Sequence, residues 1–204
     1  MDSQSLQAGG GTMPKVYGED TFVLRRKVFV LFGASFHIYD SDGNVAFFSR
    51  QKAFRLRESI HVFADETMQT EVLTIKARQI IDFGASYDVI DALTGEMAGA
   101  LRRKAFKSVL KDEWTILDAD DREIGLVQED SLLLALVRRF LSNLVPQSFE
   151  GTVGGRRVFQ FRQHFNPFIS KMTLDYSADS EEILDRRIGI AAAILLAAIE
   201  GRQK

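Results

Sequence analysis

The chain has 204 residues, 46% hydrophobic and 26% charged, with 26 basic against 28 acidic side chains and a formal net charge of −2. That length suits one domain with an adequate core, and the charge balance lacks the basic excess of a nucleic-acid binder. With no cysteine, disulfides, thiol nucleophiles, zinc–thiolate sites and cysteine-bound iron–sulfur clusters are excluded.

The chain opens on a polar, Gly-rich stretch with no apolar run, so it does not read as a secretory signal. No Lys-Ser/Thr follows Gly9-Gly10-Gly11-Thr12, so no P-loop is predicted. Residues 1–18 read as a flexible tail and 19–204 as a single domain. Strand-like sequence begins at Phe22 and runs to Phe32.

A repeat follows. Asp40, Asp65, Asp91 and Asp118 stand 25, 26 and 27 residues apart, each closing a short run rich in β-branched or aromatic residues. These runs are Phe36-His37-Ile38-Tyr39, Ile60-His61-Val62-Phe63, Tyr87-Asp88-Val89-Ile90 and Trp114-Thr115-Ile116-Leu117. After each Asp come a few polar or Gly residues and a second apolar run, near Val45, Val72, Met97 and Ile124. Apolar run, Asp/Gly turn, apolar run is the pattern of a β-hairpin, since Asp and Gly tolerate turn backbone angles that branched residues avoid. Lys52-Ala53-Phe54 and Lys104-Ala105-Phe106 mark a second similar piece between hairpins.

The period then changes. Asp130-Ser131 can cap a helix over about 130–145, in which Leu133, Leu136, Val137, Phe140, Leu141 and Leu144 recur at helical spacing before Pro146. This amphipathic helix is expected to pack on the outside. Strand-like runs resume at Val158 to Phe165 and Ile169 to Tyr176. The last segment, about 180–200, predicts a helix with Ser180 as N-cap candidate. From Ile188 to Ile199 every residue is apolar, Ala or Gly. Ile188, Ile190, Ile194, Leu195, Leu196 and Ile199 surround the whole circumference, so protein or lipid must enclose the helix. Twelve residues reach only ~18 Å, short of the ~30 Å hydrocarbon layer, and charged residues flank both ends. No transmembrane segment is predicted. The fold class expected is mostly β (α+β): an antiparallel β-barrel of about twelve strands, enclosing its hydrophobic C-terminal helix, with alanines keeping that helix slim.

This pattern resembles the tubby C-terminal-like superfamily, and within it the LURP-one-related and phospholipid scramblase-like proteins. The likeness is carried by Phe36 to Val45 with Lys52-Ala53-Phe54, by Tyr87-Asp88-Val89-Ile90-Asp91 to Gly95, and by Trp114-Thr115-Ile116-Leu117-Asp118. The helix near Leu132 to Leu144 departs from the compact LURP-one-related layout. In the superfamily, tubby domains bind phosphoinositides through basic barrel residues, and scramblases act on membrane lipids with calcium dependence. The resemblance implies a non-enzymatic, cytoplasmic module at the inner membrane surface whose partner is an anionic phospholipid. A protein-interaction scaffold using the helix near Leu132 to Leu144 is the alternative, and scramblase activity a third reading.

Basic residues recur at one place in each unit: Arg50 and Lys52, Lys76 and Arg78, then Arg102, Arg103 and Lys104. Residues i and i+2 of a strand share a face, so such pairs can present two cations to one phosphate; Lys76-Ala77-Arg78 resembles the Lys-x-Arg pair of the tubby lipid site. These seven are the candidate headgroup ligands. The bland reading is a solvated strand face that discourages aggregation. Asp40-Ser41-Asp42-Gly43 resembles the start of a calcium loop, but an EF-hand needs Gly at position six and Glu at twelve, where this chain has Val45 and Gln51. His37, His61 and His164 are isolated, and no metal or cofactor is expected. Ser108-Val109-Leu110-Lys111 lacks the partner motifs of acyl-transferring enzymes. No catalytic residue is assigned.

Overall fold

The computed structural model describes residues 15–29, 33–51, 59–78, 85–103, 113–129, 147–164 and 170–200. Twelve strands close into one antiparallel barrel: β1 (Thr21–Phe29), β2 (Gly33–Tyr39), β3 (Val45–Gln51), β4 (Ile60–Phe63), β5 (Glu71–Ala77), β6 (Ser86–Asp91), β7 (Met97–Arg103), β8 (Glu113–Leu117), β9 (Glu123–Glu129), β10 (Ser148–Val153), β11 (Arg156–His164) and β12 (Ser170–Asp175). Each strand pairs with its neighbours in sequence, and β12 returns to β1. Closure leaves no open edge for another chain to extend.

Because all neighbours are antiparallel and consecutive, the odd-numbered strands all run one way. The four repeated aspartates therefore fall at one rim, hereafter the turn end, and the longer connections at the other, the connector end. Each aspartate organises its turn in the same way. Asp40 Oδ1 accepts the Asn44 N–H at 2.8 Å, Asp65 Oδ1 that of Thr67 at 2.8 Å, and Asp118 Oδ1 those of Asp120 and Arg122 at 2.9 Å. A register shift precedes every one of these turns, at Ile38/Tyr39, Val62/Phe63, Val89/Ile90 and Ile116/Leu117. The positive-φ slot that follows holds Gly43, Met68, Gly95 and Asp121 in turn.

The helix α1 (Arg186–Glu200) enters from the turn end and runs up the barrel axis. Ile188, Ile190, Ile194, Leu195 and Leu196 are each at most 3% exposed, and Ala191, Ala192, Ala193, Ala197 and Ala198 at most 4%. A helix covered on every flank is one enclosed by protein. The side chain of Ile199 lies outside the described residues. Two glycines let the rod pass close to the wall. A Cβ on Gly99 of β7 would stand 2.8 Å from Ile188 Cδ1, and one on Gly189 would stand 2.2 Å from Tyr176 Oη.

The helix begins later than the sequence predicts. Ser180, Glu181 and Glu182 sit in a turn held by Asp179, whose carboxylate accepts the N–H groups of Ile183 (2.9 Å) and Leu184 (3.1 Å). Asp185 is the N-cap, its Oδ1 accepting the Arg187 N–H at 2.9 Å, as a capping carboxylate does. Lys15–Gly18, read from sequence as part of the tail, form a 3-10 turn, with Tyr17 buried against Phe47 at 5.1 Å between ring centroids. β10 has no counterpart among the strands predicted from sequence, and the predicted helix over 130–145 lies outside the described residues.

Candidate functional site

At the turn end, α1 is fastened by two arginines. Cations at a helix N-terminus oppose its dipole, and both have acidic neighbours that offset this. Arg187 donates from Nη1 to Asp91 Oδ2 at 2.7 Å and from Nη2 to Asp185 Oδ2 at 2.6 Å. Arg186 lies over the Tyr176 ring at 4.2 Å and reaches Asp20 at 3.3 Å, while the Tyr176 hydroxyl donates to the Arg186 carbonyl at 2.9 Å. Asp91 thus serves two masters: one oxygen shapes its turn through Leu93 and Thr94, the other holds the helix. Burial pushes its carboxyl upward, but the hydrogen bonds from Thr94, Arg187 and Leu93 outweigh this and hold it below the usual carboxylate range. These hydrogen bonds anchor the plug, and the chemistry they offer is structural.

The outward side of the wall is where the predicted ligands lie. Arg50 on β3 is exposed, its guanidinium 5.7 Å from the Phe48 ring. Lys76 on β5 is exposed, in register with Asp88. Arg78 is committed elsewhere: it donates from Nε to Asp88 at 2.5 Å and from Nη2 to Asp121 at 2.6 Å, which holds the Asp121 carboxyl below its ordinary range. Arg102 faces Glu123 at 3.5 Å. Arg103 lies in register with the core residue Trp114, on the same side of β7 as buried Leu101. Lys52 and Lys104 lie outside the described residues. The structure therefore separates the predicted set into two exposed cations, two carboxylate-paired arginines and one turned towards the interior.

Sequence reasoning passed over a second group. Lys171 of β12 is in register with Arg25 of β1, Arg25 with His37 of β2, and His37 with Phe48 of β3. One row closer to the connector end, Lys27 is in register with Ser35 and Ser35 with Arg50. Arg25, Lys27 and Arg50 are exposed and Lys171 half-buried. Arg25 is stacked 4.7 Å over Tyr39. Glu66 is held by His37, whose Nε2 lies 2.5 Å from Glu66 Oε1. The signal for Arg25 and Lys27 is the alternation Arg25-Arg26-Lys27 within a strand; that for Lys171 is only the closure of the barrel.

Charge is unevenly distributed over the described wall. The turn end carries Glu19, Asp42, Asp65, Asp118, Asp120 and Glu181 among others, and its exposed arginines Arg122 and Arg156 are each paired, with Asp120 and Glu181 at 2.6 Å. Among the described residues, exposed cations without a carboxylate partner, Arg25, Lys27, Arg50 and Lys76, lie along the wall between the middle of the strands and the connector end. Among the described residues no three of His, Asp and Glu are placed to hold a metal ion, and no helix is long and apolar enough to cross a membrane.

Comparison with known proteins agrees with this architecture. A crystal structure of an Arabidopsis thaliana protein matches 95% of this chain and 99% of that one, at 14% identity and a TM-score of 0.50, a likeness of fold. No curated protein matches significantly. The family model described as LURP-one-related matches residues 45–196. That match takes in strands β3 to β12 and most of the enclosed helix, well over half of the sequence, and the chain belongs to the LURP-one-related family.

Proposed function

We propose that this LURP-one-related domain is a non-enzymatic module that binds anionic phospholipid headgroups, phosphoinositides included, peripherally at the inner surface of a membrane. The observation that carries the reading is a local excess of positive charge: among the described residues, exposed cations such as Arg50 and Lys76 lie on the wall without a carboxylate partner, while the turns of the opposite rim carry Asp42, Asp65 and Asp120. A net charge of −2 gives no general attraction to an anionic surface, so attraction must come from such a local excess. Near a negative leaflet each cation is worth about 1 kcal/mol within a Debye length. The resemblance to tubby domains supports the same class of ligand. Arg78 and Arg102 enter this proposal with less weight, since an ion pair must open before either reaches a phosphate.

Vesicle co-sedimentation tests it. The protein should pellet with phosphatidylcholine vesicles doped with phosphatidylserine, should stay in solution with phosphatidylcholine alone, and should be released as salt is raised. Equal binding to neutral and anionic vesicles overturns the reading.

A further inference from the structure

We propose that the outer face of β12 and β1 is a preformed site for the phosphate of a bilayer-borne headgroup, built on Arg25, Lys27 and Lys171. The proposal rests on the lipid-surface reading above and assigns it a place that differs from the Lys76–Arg78 region.

Like charges directly opposite one another on antiparallel strands destabilise a sheet, yet Lys171 of β12 is in register with Arg25 of β1. Lys27 stands two residues along the same face of β1, so a third cation projects beside the pair. Their Cβ atoms are separated by roughly 5–7 Å, close enough for three long side chains to converge on one phosphate. Among the described residues none of the three has a carboxylate partner. Among the described residues Arg78 pairs with Asp88 and Asp121, Arg122 with Asp120, Arg156 with Glu181 and Arg157 with Glu150, whereas exposed Arg50 has no carboxylate partner and lies one strand beyond Ser35, the residue in register with Lys27. Glu66, which reaches this side of the barrel from its turn, is already bound to His37, and Asp175, at the far end of β12 in register with Thr21, accepts the Ser177 N–H at 2.8 Å. The sequence joining these strands, Val30-Leu31-Phe32 and Phe165-Asn166-Pro167-Phe168-Ile169, is uncharged and supplies no carboxylate either.

The donors are also held in place. Arg25 rests 4.7 Å over the Tyr39 ring, which fixes its plane while leaving all its N–H groups free. A cation immobilised before binding loses less entropy on capturing an anion. Three cations, one of them stacked, with no carboxylate partner among the described residues, suit an anionic phosphate-bearing headgroup. A membrane is the source the charge pattern favours, because Arg25 and Lys27 are exposed on the outside of the barrel, where an array of anionic headgroups can reach several cations at once.

The experiment compares three proteins for partition onto phosphatidylcholine vesicles doped with phosphatidylserine: the unaltered chain, Arg25→Gln/Lys27→Gln/Lys171→Gln, and the turn-end control Arg122→Gln/Arg156→Gln. At roughly fivefold per cation, the triple variant should bind on the order of a hundredfold more weakly, and the control should match the unaltered chain. If the unaltered chain ignores anionic vesicles, the lipid reading falls and this site with it. If it binds and the triple variant binds as well, this site alone is overturned. Lysine acetylation of the unaltered chain gives an answer independent of folding of the variants: anionic vesicles should shield Lys27 and Lys171 and leave Lys76 reactive, and the reverse pattern sinks the assignment. Inorganic phosphate at equal lipid-phosphate concentration should not shield them; equal shielding would make the ligand a free anion and overturn the membrane assignment.

Discussion

Replacing Gly189 with alanine sets two physical effects of known sign against each other. Inside a helix, Gly→Ala is normally stabilising by about 1 kcal/mol, because alanine loses less backbone entropy. Here the added methyl would lie 2.2 Å from Tyr176 Oη and 2.8 Å from its Cε1 and Cζ, closer than real Cβ atoms come. Tyr176 has little room to yield. It is fully buried, its hydroxyl donates to the Arg186 carbonyl at 2.9 Å, its ring meets Phe22 and Phe159 edge-on, and the Arg186 guanidinium covers it. Overpacking a fixed core site costs about 1–3 kcal/mol, and displacing the hydroxyl sacrifices a hydrogen bond worth about 1 kcal/mol. Subtracting the propensity gain leaves a net loss of about 2 kcal/mol, equivalent to a fall in Tm of about 4–8 °C for a domain of this size. Urea unfolding followed by tryptophan fluorescence from Trp114, with calorimetry beside it, measures both. Adding Tyr176→Phe should recover part of the loss, because it deletes the atom in closest contact. If Gly189→Ala is neutral or stabilising, α1 is not wedged against Tyr176, and the close enclosure of the helix is wrong.

Arg187→Ala should destabilise by about 3–5 kcal/mol, because it strands the buried Asp91 carboxylate without its cation; Asp91→Asn, which keeps an acceptor in place, should cost less, and chemical denaturation ranks the two. The Asp91 carboxyl is held low in the folded chain, so its contribution is complete above the unfolded value of about 3.9 and disappears as pH falls through the lower folded value; Asp91→Asn should therefore flatten the acid limb of stability against pH, and an unchanged slope would refute this. Burial raises the Tyr17 phenol above its ordinary range, so stability from this group is complete below about pH 10 and lost as pH climbs further. Because Tyr17 Oη is buried with no hydrogen-bond partner among the described residues, Tyr17→Phe should leave neutral-pH stability within about 1 kcal/mol and shallow the alkaline limb, which thermal scans across pH would check.

The barrel and its plug were legible because both are written in local pattern. Period-two runs closed by Asp40, Asp65, Asp91 and Asp118 specify hairpins, and an apolar segment too short for a bilayer specifies enclosure. Sequence composition points to Ser180 as the start of α1, whereas the structure starts it after Asp185. Ser180-Glu181-Glu182 has the composition of a helix start, but Asp179 captures the N–H groups of Ile183 and Leu184 and holds a turn there. β10, Ser148–Val153, offered a weak signal: Glu150, Gly151 and Thr152 dilute its apolar character, and its pairing is supplied by β9 and β11. The candidate site was the least legible part. Adjacent basic residues show in sequence, whereas the carboxylates that neutralise them come from other units. Asp121, which engages Arg78, is 43 residues away, and Lys171 reaches Arg25 only because the last strand returns to the first.

The enclosed helix changes what the rest of the molecule can be used for. Inward positions are committed to packing on α1, so Ile75, Val89, Leu101 and Ile116 answer to core density and have little latitude. The exposed outward positions are free of that constraint, and their charges could have been interspersed with opposite sign at no cost to the core. On most of the wall they are: Arg78, Arg122, Arg156 and Arg157 each find a carboxylate. What sets Arg25, Lys27 and Lys171 apart is that like charges stand opposite one another there, which carries a cross-strand penalty that the enclosed core must absorb. Sequences that obey their own rules over most of a fold and break them at one place do so where function outweighs stability. On this barrel, filled from within, that place can only be on the outside.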